Sequence, residues 1–476
     1  MSTTKLAGLI NGPLLFFLLT QLTTPLITQS ADTVIAVALW MVIWWITEAT
    51  ALAVTALLPL VLLPILDIMP IADVGANYGS PIVFLFFGGF VMALAIEKVN
   101  LHKRIALTII KITGTTPNKV VLGFMIATAS LSMWISNTAS TVVMLPIAMS
   151  VIGLLIDDAD GFTKNDQNFA LSVMLGIAFS ANAGGIATVI GTPPNSVLIG
   201  LLENEYNIEI SFLKWMIIGL PFAVVMTLLS YVVLVKIMFP NRQVQFKSSK
   251  EIIQAELQKL GQISTKEKMV LVIFGVTVFL WVFRTVINAT FPNLGLSDTI
   301  ISVGAAIALF VIPQNIKKDR FILDWNDTQK LPWGILILFG GGLALAKAMS
   351  VSGLVTLVAD GIAASNAGVL LTVALLIALM LFMTELMSNV ALIAVLAPVV
   401  AGIAIGLNIP VLYALIPVTI ASSCAFMLPM ATPPNAIVFA SGYIKVHQMA
   451  KAGIILNVIA VGLLVLVFKF VLPLVF

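Results

Sequence analysis

Charged side chains are scarce in this chain of 476 residues, where they make up 9% of the sequence against 60% for hydrophobic residues. A soluble domain has about 25% charged residues. Cysteine occurs once, as Cys424, which excludes an intramolecular disulfide. The composition therefore excludes an ordinary soluble domain, and the single cysteine carries no information about the redox compartment.

Histidine is also rare, with only His102 and His447. Both lie in basic stretches that we expect to be loops, and the two show no metal-ligand spacing. An enzyme needs a nucleophile with its base, or a set of metal ligands, and the sequence offers neither. We therefore expect no enzyme and no covalent cofactor. The net charge of +3 requires no acidic partner, so we expect no nucleic acid among the partners.

Apolar stretches of roughly 20 residues recur from end to end, which is the length that crosses about 30 Å of hydrocarbon. The alternating ten-residue segments of a membrane β-barrel are not seen. The sequence therefore predicts an all-α polytopic membrane protein in contact with the lipid bilayer. A channel would be expected to keep a continuous polar pathway, whereas the polar residues here are confined to two clusters.

The two clusters are Ser-Asn pairs, Ser136-Asn137 and Ser388-Asn389, each inside a long apolar run. The runs span 120–155 and 369–405, which is short for two full crossings and a turn. We therefore expect two re-entrant hairpins. Two full crossings in each run would place the connecting loops on the same sides of the membrane as a hairpin does. Only the length of each run therefore separates these alternatives.

Each Ser-Asn pair is followed along the chain by Thr-Pro-Pro-Asn, beginning at Thr192 and at Thr432. The Ser-Asn pairs lie 252 residues apart, and so do Phe-Gly-Gly motifs beginning at Phe87 and Phe339. The Thr-Pro-Pro-Asn motifs lie 240 apart, because the first copy carries an extra polar stretch, 157–167. A constant offset indicates an internal duplication, which is common in secondary transporters.

Basic residues indicate the orientation of the repeat. With a cytoplasmic N-terminus and eleven crossings, all 24 Lys and Arg residues lie on the cytoplasmic side except Lys214, Arg284, Lys347 and Lys469. This agrees with the positive-inside rule. The first hairpin then enters from the cytoplasm and the second from outside, so we expect an inverted repeat of eleven transmembrane helices and two re-entrant hairpins.

Backbone hydrogen bonding predicts the chemistry of the breaks. Proline pairs remove donors and interrupt a helix, and a broken helix within the membrane is tolerated only where it is buried or lines a wet cavity. The freed carbonyls are ligands for a small cation, and helix N-termini suit an anion. The Ser and Asn side chains add further polar groups, so we expect a transport site. The alternative is that Ser-Asn only caps the following helix.

These motifs, with Gly191-Thr192-Pro193-Pro194-Asn195 and the stretch 423–435, resemble the divalent anion/sodium symporter (INDY-like) family over nearly the whole chain. The resemblance implies a homodimer in the cytoplasmic membrane, with scaffold and transport domains that move as an elevator. It also implies sodium as the coupled ion. The expected divisions are scaffold helices 1–119 and 269–350, transport-domain segments 120–240 and 369–441, a cytoplasmic linker 241–268, and a last helix 452–476.

The resemblance also implies the site residues. One sodium site would comprise Ser132, Ser136, Asn137 and Gly191, and another would comprise Thr384, Asn389 and Ala431. The substrate carboxylates would contact Ser136, Asn137, Thr138, Thr192, Pro193, Ser388, Asn389, Val390, Thr432 and Pro433.

The second motif departs from the family pattern, because Val390 stands where threonine is expected and Met387 precedes the serine. The loss of a hydroxyl favours exchange of one dicarboxylate for another over sodium symport, although both remain open. The expected function is secondary transport of di- or tricarboxylates such as succinate, malate or 2-oxoglutarate. The alternative is a sodium-coupled carrier of sulfate or another inorganic divalent anion. For Glu385, next to the motif, a structural hydrogen bond is favoured over a proton or cation role.

Overall fold

A computed structural model describes residues 3–21, 28–114, 116–156, 163–240, 249–315, 320–365 and 368–476. The helices of the first half are α1 Thr3–Thr20, α2 Gln29–Ile46, α3 Leu52–Thr55, α4 Leu58–Ile65, α5 Ile71–Tyr78, α6 Pro81–Lys98, α7 Leu101–Thr113, α8 Pro117–Ser132, α9 Asn137–Ile156, α10 Lys164–Gly185, α11 Pro193–Tyr206 and α12 Phe212–Val232. A π-helical segment, Val233–Met238, extends α12.

The second half begins with the polar linker helix α13 Ser249–Lys259. The helices after it are α14 Thr265–Thr290, α15 Asp298–Val311, α16 Trp333–Val351, α17 Leu354–Ala363, α18 Val369–Met383, α19 Asn389–Gly406, α20 Val411–Ser422, α21 Pro433–Phe439, α22 Val446–Leu466 and α23 Leu472–Val475. Between α15 and α16, strands β1 Pro313–Asn315 and β2 Arg320–Phe321 pair antiparallel. The start of the expected linker, 241–248, lies outside the described residues.

Eight of the described helical segments are long and apolar enough to cross a membrane by length and composition. The multi-pass, helical class expected from the sequence is therefore confirmed. The number of eleven crossings and the re-entrant course of the hairpins stay predictions.

The helices break at the four places where the motifs interrupt the apolar runs. The first hairpin turns between α8 and α9, and the second turns between α18 and α19. Each Thr-Pro-Pro-Asn motif starts a new helix, with Thr192 and Thr432 in extended conformation and a proline at the first helical position. Proline suits that position because its missing N–H would have no partner there.

The core of the first half surrounds α10, in which every residue from Phe169 to Gly185 is buried. Gly184 lies directly against α8, where a Cβ would overlap the backbone of Ala129. This close approach brings the end of α10 beside the tip of the first hairpin.

The repeated Phe-Gly-Gly motifs join the two halves. A Cβ at Gly88 would overlap Ser302 of α15, and one at Gly340 would overlap Tyr78 of α5. The rings of Phe86 and Phe339 also meet edge to face at 4.9 Å. At the same position of each repeat, a glycine thus lets a helix of the other half approach closely.

Candidate functional site

The tip of the first hairpin is built around the hydroxyl of Ser132, which is fully buried. Its Oγ lies 2.5 Å from Asn137 Oδ1 and 2.7 Å from the carbonyl oxygen of Ala181 in α10. A serine hydroxyl has only one hydrogen to donate. Two acceptor oxygens therefore share one hydrogen at this tip, and together with the hydroxyl they form a cluster of three oxygens.

The tip of the second hairpin has the same geometry, with Thr384 and Asn389 at the repeat positions of Ser132 and Asn137. The Oγ1 of Thr384 lies 2.8 Å from Asn389 Oδ1 and 2.6 Å from the carbonyl oxygen of Ser422. Again a single hydroxyl hydrogen faces two acceptors. Clusters of oxygens beside an unwound helix are the kind of site in which transporters hold sodium.

The break after α10 passes close behind the first tip. Gly191 lies so near Gly185 that a Cβ on it would overlap the Gly185 carbonyl oxygen, and a Cβ on Gly185 would overlap the Asn137 amide. The structure thus brings together Ser132, Asn137 and Gly191, three of the four residues that the family resemblance implies for the first sodium site. In the second half, Ala431 lies at the edge of the cavity, at the repeat position of Gly191.

The serines of the two motifs do cap the following helices. The Oγ of Ser136 accepts from Ala139 N at 3.2 Å, and the Oγ of Ser388 accepts from Ala391 N at 3.5 Å. The capping interpretation is therefore correct for these hydroxyl oxygens. Both serines also line the cavity, and each hydroxyl keeps its hydrogen for a ligand.

The asparagines of the Thr-Pro-Pro-Asn motifs hold the breaks in shape, a role that the sequence did not suggest. Asn195 Nδ2 donates to the Thr188 carbonyl at 2.8 Å. Asn435 Nδ2 donates to the carbonyls of Leu428 and Ala425 at 3.0 and 3.2 Å. Both side chains are fully buried and satisfy carbonyls that the broken helices leave free.

One cavity of about 1260 Å³ lies between the two halves. Every residue that the family resemblance implies for the substrate lines it: Ser136, Asn137, Thr138, Thr192, Pro193, Ser388, Asn389, Val390, Thr432 and Pro433. The buried hydroxyls of Ser132 and Thr384 lie behind Asn137 and Asn389. The expected binding residues are therefore collected around a single space.

The wall from the second half is more apolar than the wall from the first. Leu386 and Met430 line the cavity and are 71% and 75% exposed, beside Met387 and Val390. At the repeat position of Val390 the first half presents Thr138. The difference leaves fewer hydroxyl donors on the second wall.

Glu385 forms the most extensive hydrogen bonds near the site, although it is 3% exposed. Its two oxygens accept from the backbone N–H groups of Phe426, Met427 and Leu428 at 2.8 to 3.1 Å. Asn457 in α22 adds a hydrogen bond of 2.8 Å to Oε1. The structural hydrogen bonds favoured for Glu385 are thus present, and the carboxylate fastens the unwound segment of the second half.

Charged residues also line the cavity, including Lys5, Glu48, Glu97 and Lys330. Lys5 Nζ lies 3.5 Å from Glu48 Oε2. Among the described residues, no three His, Cys, Asp or Glu side chains come together as a metal-binding group. A cation at this site would therefore be held by hydroxyl, amide and carbonyl oxygens.

Two broken helices and two hairpin tips around one cavity between repeats are the architecture of a secondary transporter. Comparison with known proteins agrees: residues 4–475 match the sodium:sulfate symporter transmembrane region, and the chain belongs to this family. It is therefore a membrane transporter and not an enzyme.

The curated relatives include two bacterial proteins named sodium-dependent dicarboxylate transporter SdcS. The one from Staphylococcus saprophyticus is 40% identical over 476 residues, which covers 98% of this chain and 92% of the relative. The one from Staphylococcus aureus is 39% identical and covers 100% and 92%. Among solved structures, the Alcanivorax borkumensis YdaH transporter matches with a TM-score of 0.58 at 14% identity, covering 84% of this chain and 88% of that one. At that identity the likeness concerns the fold alone.

Proposed function

We propose that the protein carries a C4–C5 dicarboxylate across the cytoplasmic membrane together with sodium. The observation that carries the proposal is the matched pair of tips, in which one hydroxyl faces two acceptor oxygens beside the same cavity. A sodium ion would balance the partial negative charges of these clustered oxygens. The staphylococcal relatives, named sodium-dependent dicarboxylate transporters, support the same ion and substrate class.

Symport is favoured over exchange because Val390 takes no part in the second oxygen cluster. That cluster uses Thr384, Asn389 and the Ser422 carbonyl, and it has the same form as the cluster at the first tip. The missing hydroxyl of residue 390 therefore weakens the substrate wall and leaves the cation ligands in place.

A dicarboxylate suits the cavity because binding groups face it from both halves. Helices α9 and α19 begin at Asn137 and Asn389, and both of these residues line the cavity. Such N-termini attract negative charge. Two carboxylates separated by a short carbon chain would each meet one tip, and the aliphatic carbons would contact the apolar second wall.

The proposed orientation places the cavity mouth on the cytoplasmic side. Lys5, Glu48 and Lys330 line the cavity, and the positive-inside rule assigns both lysines to the cytoplasm. Arg284 and Lys347, which are expected outside, do not line the cavity. They form ion pairs with Glu209 and Glu205. The protein is then inward-facing, with a cytoplasmic N-terminus. The homodimer and the elevator movement implied by the family resemblance belong to the same proposal, and cross-linking in membranes would test both.

The test is uptake of labelled succinate into proteoliposomes, with the sodium gradient and the internal dicarboxylate varied independently. We expect uptake into empty vesicles that requires external sodium. Uptake that requires internal dicarboxylate and ignores sodium would establish exchange instead. Unlabelled sulfate in excess should compete weakly, and strong competition by sulfate alone would favour the inorganic-anion carrier.

A further inference from the structure

Asn182 connects the two halves of the site, although no sequence motif marks it. The side chain belongs to α10, is 1% exposed and lines the cavity. Its Nδ2 donates to the Ala425 carbonyl at 3.0 Å and to Thr432 Oγ1 at 3.1 Å. The same nitrogen lies 3.3 Å from Asn435 Oδ1. Three acceptors of the second break thus converge on an amide that has two hydrogens.

The repeat does not duplicate this connection. The contacts at the tips make Ser422 the counterpart of Ala181, so the counterpart of Asn182 is Ser423. The hydroxyl of Ser423 is buried and forms no hydrogen bond within the described residues. Asn195, the repeat partner of Asn435, donates to carbonyls of its own half. The amide of Asn182 therefore fastens the second break to the first half, whereas neither Ser423 nor Asn195 makes the reverse connection.

The backbone beside Asn182 belongs to the first oxygen cluster. Its neighbour Ala181 supplies the carbonyl that accepts from Ser132. The side chain of Asn182 reaches Thr432 on the cavity wall and Ala425 in the second break. One short stretch of α10 thus contacts the first tip through its backbone and the second break through a side chain.

Aromatic packing makes this contact between α10 and the second break more extensive. The rings of Phe179 and Phe426 meet edge to face at 5.3 Å, close along the chain to Asn182 and Ala425. The N–H of Phe426 also donates to Glu385. A displacement of the end of α10 would therefore be passed to the segment that shapes the second tip.

We propose that Asn182 is a positioning residue that couples cation binding at the two tips. When a cation orders the first tip, the end of α10 is fixed, and the amide of Asn182 then holds the second break in its binding arrangement. This inference rests on the proposed function, since it requires sodium-dependent transport. Coupling between sites is reciprocal and typically changes affinity by about 5- to 150-fold.

The test compares the sodium dependence of succinate uptake for the wild type, Asn182→Ala and Asn182→Ser. We expect sigmoidal sodium dependence in the wild type. Asn182→Ala should raise the half-saturating sodium concentration by about fivefold or more and bring the Hill coefficient toward one. The serine variant keeps one hydrogen-bond donor, so its half-saturating sodium concentration should lie between those of the wild type and the alanine variant. The serine variant also provides the test if the alanine variant does not fold.

Asn288→Ala is the matched control, because Asn288 also donates to a backbone carbonyl, that of Leu296 at 2.8 Å, at the end of α14 away from the cavity. Its sodium curve should match that of the wild type. The sodium-induced rise in melting temperature of the purified proteins gives a second readout that does not depend on transport. Unchanged sodium curves in both Asn182 variants would overturn the inference alone. A wild type that ignores sodium would overturn the proposed function and the inference with it.

Discussion

The hydroxyl of Thr384 lies 2.8 Å from the amide oxygen of Asn389, as the hydroxyl of Ser132 lies 2.5 Å from that of Asn137. The two contacts occupy the same positions of the repeat, and each hydroxyl also faces a backbone carbonyl. The substitution that distinguishes the second motif, Val390, lies outside this cluster. The two halves therefore differ in the residues on the cavity wall, whereas the oxygen clusters behind the wall have the same geometry.

Asn137→Ala and Asn389→Ala should each reduce uptake to background. Each asparagine supplies an oxygen to its cluster and lines the cavity, so its loss removes a cation ligand and a substrate contact. The measurement is succinate uptake at equal amounts of reconstituted protein. Asn204→Ala is the control, because Asn204 donates to the Ser80 hydroxyl and does not line the cavity. Normal uptake by either motif variant would show that the site is assigned wrongly.

Val390→Thr should lower the KM for dicarboxylate and leave the sodium dependence unchanged. The new hydroxyl would face the cavity, where a hydrogen bond to a charged group contributes about 1.5–3 kcal/mol. The KM should therefore fall by about tenfold or more. Val142→Thr, on the cavity wall in α9, is the matched control. A change in sodium dependence without a change in KM would place residue 390 at the cation site after all.

The sequence predicted the helix breaks because the repeat marks them twice, and the family resemblance implied the residues around the cavity. It did not predict the roles of Asn182, Asn195 or Asn435, since their partners are set by how separate segments pack. His102 shows the same limit: it was expected in a basic loop, yet it is buried in α7 with its Nδ1 3.1 Å from the Ile96 carbonyl. The neighbouring Lys103 and Arg104 suggested that His102 is exposed, but its side chain faces the interior.

Glu385→Gln should destabilise the protein and impair uptake. The amide would place its N–H groups against backbone donors that now point at carboxylate oxygens, which leaves buried groups without partners. Hydrogen bonds to charged groups contribute about 1.5–3 kcal/mol each, so we expect a clear fall in melting temperature in detergent. Glu256→Gln is the control, because the ion pair of Glu256 with Lys259 lies on the protein surface. Equal melting temperatures for both variants would mean that the buried carboxylate contributes no stability.

Gly191→Ala should abolish sodium-dependent uptake. The new Cβ would overlap the carbonyl oxygen of Gly185, and because that atom belongs to the backbone the break itself would have to shift. The shift would reach Asn137, since Gly185 lies directly against the Asn137 amide. The measurement is the sodium dependence of uptake, together with the melting temperature in detergent.

Gly361→Ala in α17 is the matched control, because a Cβ there meets no atom within 4 Å. Alanine is favoured over glycine in a helix by about 1 kcal/mol, so this variant should keep its uptake and melt at the same or a higher temperature. Gly191→Ala should differ from it in sodium dependence even where the protein remains folded. Wild-type sodium dependence in Gly191→Ala would show that the close contact of Gly191 with Gly185 does not shape the first cation site. The cation ligands would then have to be sought among the oxygens around Ser132 alone.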